Sequence, residues 1–79
     1  MGLFSFLKRE DTDAAYQAGV EYGEALAEIE PGLRGVALAQ KQCNACDLAE
    51  ASGMTEHEVG HFEEGMFKAY IKKARGKVV

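Results

Sequence analysis

Two breaks divide the apolar and polar positions of this chain into three stretches of helical period. Pro31-Gly32 interrupts the first stretch after Ile29, and Ser52-Gly53 interrupts the second. No run alternates apolar with polar residues at the period of a strand, and there is no internal repeat or low-complexity tract. The pattern predicts an all-α fold in one small domain over residues 1–79. It is a three-helix antiparallel bundle, with helices at about 12–29, 33–51 and 56–74, behind an apolar N-terminal segment.

The first helix can be capped by Asp11, Thr12 or Asp13, whose side chains accept hydrogen bonds from free amides. At about 100° per residue, Asp13, Gln17, Glu21, Glu24 and Glu28 fall on one acidic stripe, and nearly everything else is apolar or small. An apolar stripe of little more than about 100° is usual for a surface helix, and this one covers well over half the circumference. Ala15, Gly19, Gly23 and Ala27 recur four apart as a flat ridge where another helix can approach closely, most often one of the same chain, with Leu26 beside them. Glycine inside a helix costs about 1 kcal/mol relative to alanine, so close contact is the reason to keep two.

The second helix carries Leu33, Val36, Leu38, Cys43, Cys46 and Leu48 on more than one face. The third has the clearest start, because Thr55 followed by Glu58 makes a capping box. Its inner face is Val59, Phe62, Met66, Ala69 and Tyr70, with Phe67 and Ala74 at the edge and Lys68, Lys72 and Arg75 opposite. Three helices cannot cover the first on so many sides. A homodimer is therefore expected, with helix 1 central and Ala15, Gly19, Gly23, Leu26 and Ala27 at the interface.

Size points the same way. A chain of 79 residues buries only about 60% of its unfolded surface, so a metal or a second subunit would help it. The two cysteines stand three apart and cannot staple the fold. With no secretory signal in the first residues, they read as reduced thiols of a cytoplasmic protein. Net charge is −4, but between Glu10 and Glu64 only Arg34 and Lys41 oppose thirteen carboxylates, a local balance of −11. An acidic body of that kind argues against nucleic acid as a partner. The last fifteen residues carry +5.

Residues 43–61 hold the candidate chemistry, reading C-x2-C, ten residues, then H-x3-H. Cys43, Cys46, His57 and His61 have the composition of a closed tetrahedral zinc site. No cofactor is expected, with zinc possible at these four residues and iron as a further alternative. The helical periodicity directs His57 and His61 toward the side of Lys68 and Lys72, away from Phe62 and Met66, which opposes that site. His57-Glu58-Val59-Gly60-His61 also matches H-E-x-x-H and resembles the signature of zinc metallopeptidases. That resemblance implies His57 and His61 as zinc ligands, Glu58 as the base and Glu64 as a third ligand. It covers five residues, and Glu64 stands where the extended metzincin pattern has glycine. Glu58-x-x-His61 is similar to the E-x-x-H of ferritin-like di-iron bundles, which need further inward carboxylates. Cys43-x-x-Cys46 lies mid-helix, not at the helix N-terminus that activates redox pairs.

Residues 2–9 join Leu3, Phe4, Phe6 and Leu7 to Lys8 and Arg9. They are expected to fold over the helices, with an interfacial membrane anchor as the alternative. The leading expectation is a non-enzymatic helical interaction or regulatory module. The rivals are a metal-binding protein using the Cys/His cluster and a peripheral membrane adaptor.

Overall fold

The computed structural model describes residues 10–77. The expectation for residues 2–9 lies outside them. Three helices and no strand are present among the described residues: α1, Thr12–Ile29; α2, Gly35–Ala51; α3, Glu56–Lys77.

Each boundary has a local cause. Asp11 caps α1, its Oδ1 accepting from the Ala14 amide at 2.9 Å. Pro31 ends that helix two residues after Ile29. The second helix begins two residues later than the pattern suggested, because Arg34 is extended (φ −158°, ψ 165°) and offers no side-chain cap. Gly35 then carries φ +61°, a conformation other residues adopt at a cost. At its far end α2 closes in a Schellman motif. The Met54 amide donates to Ala49 O at 3.2 Å and the Gly53 amide to Glu50 O at 3.0 Å, with Gly53 at φ +109°. The Thr55/Glu58 capping box starts α3. That helix continues through Arg75 and Gly76 to Lys77, three residues past the expected end.

The chain runs up, down and up, so α1 and α3 are parallel and α2 is antiparallel to both. Glycine sets how closely the parallel pair approaches. A Cβ on Gly19 would sit 2.0 Å from Phe62 O, one on Gly23 2.3 Å from Met66 O, and one on Gly65 2.4 Å from Tyr16 O. The two backbones touch where side chains would otherwise stand. Here the structure corrects the expected architecture. The ridge of Ala15, Gly19, Gly23, Leu26 and Ala27 comprises all the buried residues of α1, and it is seated on α3 of the same chain. The central helix is therefore α3. Both others pack on it, and α1 and α2 make no comparable backbone approach to each other.

Two side-chain clusters fill the core. One joins Ala15, Ala45, Ala49, Phe62 and Met66. The other joins Leu26, Ala27, Leu38, Tyr70 and Ala74. Met66 and Tyr70 are fully buried, and side chains of that size contribute about 1.5–3 kcal/mol each. Tyr22 meets Phe62 edge-on at 5.9 Å. The Tyr70 hydroxyl donates to Glu30 O and accepts from the Leu33 amide at 2.8 Å, tying the α1–α2 loop to α3. From α2 only Leu38, Ala45 and Ala49 are buried, so it is the least covered helix.

Candidate functional site

The Cys/His residues are distributed over two separate places. Cys43 is exposed and Cys46 half-buried on α2, both as free thiols. Burial pushes the Cys46 thiol up to about 11, and the carboxylate of Glu63 on α3 adds to the effect. His57 and His61 lie one turn apart on the solvent side of α3, their rings edge-on at 5.1 Å. His57 Nδ1 is 3.1 Å from Glu10 Oε1 and forms an ion pair with it when protonated. The structure thus brings cysteine beside cysteine and histidine beside histidine. Among the described residues, no three His, Cys, Asp or Glu side chains converge as metal ligands would.

Glu58 has a different task from its neighbours. It is buried at 6% exposure. Its Oε1 accepts from the Thr55 amide at 2.9 Å, and its Oε2 accepts from the Asp11 amide at 2.8 Å. A water-activating base needs a carboxylate oxygen turned toward the metal-bound water; both oxygens here receive backbone amides. Thr55 completes the knot by accepting from the Glu58 amide at 3.1 Å and donating to Glu10 Oε2 at 2.5 Å. That bond, and His57 after it, hold the Glu10 carboxyl below its ordinary range. Glu64 is paired with Lys68 at 3.0 Å, one turn along α3.

What the fold leaves uncovered are helical surfaces. The first is a cleft along α1, closed at one end by the turn between α2 and α3. Ala14 and Ala18 of α1 line a hollow of about 430 Å³ with Gly53 and Met54, and Tyr22, Ala25, Leu26 and Ile29 line another of about 190 Å³. Ile29 is 76% exposed. On α2, Lys41 reaches Glu30 at the end of α1 at 3.1 Å. Leu48, two turns further and on the same flank, is 63% exposed. The acidic stripe faces solvent as the periodicity demands: Asp13, Gln17, Glu21, Glu24 and Glu28 are all exposed.

The second surface lies on α3 and was only partly legible. Phe67 is 43% exposed and lines a shallow depression of about 320 Å³ with Lys68, Ile71, Lys72 and Arg75. The signal was available, since Phe67 stands a full 100° from Met66 on the helix and so on the flank of the inner face. A further open groove of about 490 Å³, on the α1–α3 side, is lined by Tyr16, Val20, Lys72 and Lys73, with Lys73 paired to Glu28 at 3.0 Å. No described helix is long and apolar enough to cross a membrane. Comparison with family models, characterised proteins and solved structures gives no match.

Proposed function

We propose that this chain is a small non-enzymatic interaction module that works by helix-on-helix association, first with a second copy of itself along the α1 cleft. One observation carries the reading: Ile29, 76% exposed, borders the hollow of Tyr22, Ala25 and Leu26 on α1, and Leu48 on α2 is 63% exposed, with no other described residue covering either. A contiguous exposed apolar patch marks an association surface, and Ile29 with the neighbouring Ala25 and Tyr22 supplies one along α1. Two-fold pairing is the commonest way for a soluble protein to cover one. The free thiols fit a reducing compartment such as the cytoplasm.

Native mass spectrometry of the untagged protein over a range of concentrations tests this reading. A dimer is expected, and Ile29→Glu with Leu48→Glu should convert it to a monomer of unchanged helicity. A parent chain that stays monomeric throughout would overturn the proposal. The same spectrum reads the rival, a metal held by Cys43, Cys46, His57 and His61, as added mass. No converging ligand set supports that rival among the described residues.

A further inference from the structure

We infer that the outer face of α3 is a docking surface for an acidic amphipathic helix of a partner protein, on the opposite flank from the cleft proposed for self-association. Phe67 and Ile71 stand one turn apart along a trough, with Lys68, Lys72 and Arg75 on its walls. The trough continues into a second hollow of about 380 Å³, which shares Ile71 and Arg75 and ends at Leu33 and Arg34. No carboxylate lines either hollow. Lys68 is neutralised by Glu64, while Lys72, Arg75 and Arg34 have no carboxylate within ion-pair distance among the described residues.

Cations at the end of a helix are explained by its dipole alone. The dipole does not explain an exposed phenylalanine and a half-buried isoleucine set between them. Apolar anchors framed by unneutralised charge of one sign are the complement of a helix with apolar residues at i, i+3, i+4 and i+7 and carboxylates beside them. Phe67 to Arg75 spans about 12 Å of helix rise, and the Leu33 hollow lengthens the trough to suit about three turns of such a ligand. An anionic bilayer fits less well. Of the apolar side chains on this face only Phe67 is largely exposed, while Ile71 and Leu33 are half-buried, which leaves little to insert among lipid chains.

Fluorescence anisotropy with three labelled peptides tests the inference: one with leucine at those four positions and glutamate and alanine elsewhere, a scrambled peptide of the same composition, and one with lysine replacing glutamate. The amphipathic acidic peptide should bind and weaken with added salt, and the other two should bind at least about tenfold more weakly. Lys72→Glu with Arg75→Glu, and separately Phe67→Ser, should each lower affinity at least about tenfold. All three residues are exposed, so circular dichroism should match the parent. The Leu48→Glu variant should bind the peptide as the parent does, which separates this surface from the cleft. Equal binding of the scrambled peptide, unchanged affinity in the α3 variants, no binding of the acidic peptide, or binding confined to phosphatidylserine-containing vesicles would each overturn the inference.

Discussion

The Glu58 carboxylate accepts the backbone amide of Asp11 at 2.8 Å, across 47 residues of chain. A side chain that caps its own helix therefore also anchors the entry to α1. One buried group fixes the relative height of the two parallel helices at their N-terminal ends. Replacing Glu58 by alanine leaves the amides of Asp11 and Thr55 without this acceptor, and should cost about 2–3 kcal/mol in urea unfolding. The neighbouring Glu56→Ala, on an exposed carboxylate, should stay within about 1 kcal/mol of the parent. Equal effects from the two variants would refute the anchoring role.

Acid should weaken the same end of the bundle through Glu10. Its carboxyl is held below the ordinary value of 4.5, first by the Thr55 hydroxyl and then by His57. The folded state thus favours the charged form. This contribution is fully present above about pH 4.5 and fades as pH falls through the lowered native value. The stability difference between the parent and Glu10→Gln should be flat above that point and shrink below it. A difference that grew with acidification would reverse the assigned sign.

Glycine substitutions should separate by position. Alanine in place of Gly60, whose Cβ would meet open space, should gain up to about 1 kcal/mol in helix propensity. The same change at Gly23 drives a Cβ to 2.3 Å from Met66 O. Overpacking there should outweigh the propensity gain and destabilise by about 1–3 kcal/mol or more. If Gly23→Ala raised the unfolding midpoint as Gly60→Ala does, the backbone contact of α1 with α3 would be wrong.

The two thiols should differ in reactivity. With Cys46 raised to about 11, its thiolate is about a thousandth of the total at pH 8. Cys43 is exposed. Iodoacetamide should therefore modify Cys43 first in the native protein, and Cys46 should follow quickly only in urea. Peptide mapping of the first alkylated site decides this; simultaneous modification would count against the burial of Cys46.

The sequence by itself determined the features that depend on neighbours within a turn or two. Pro31-Gly32 and Ser52-Gly53 divide the helices because their backbone preferences are local. Thr55 and Glu58 form a capping box because they stand three apart on any helix. The acidic stripe of α1 and the inward set of Phe62, Met66, Ala69 and Tyr70 follow from helical geometry alone. Periodicity assigns a residue to a face, but it does not say which helix that face meets. Gly19 and Gly23 therefore read as a contact surface while their partner, the α3 backbone at Phe62 and Met66, stayed hidden. The centrality of α3, the Tyr70 tie to the α1–α2 loop and the reach of Glu58 to Asp11 were all decided by the tertiary structure. Each joins groups that only packing brings together, and their sequence separation carries no local signal of the contact.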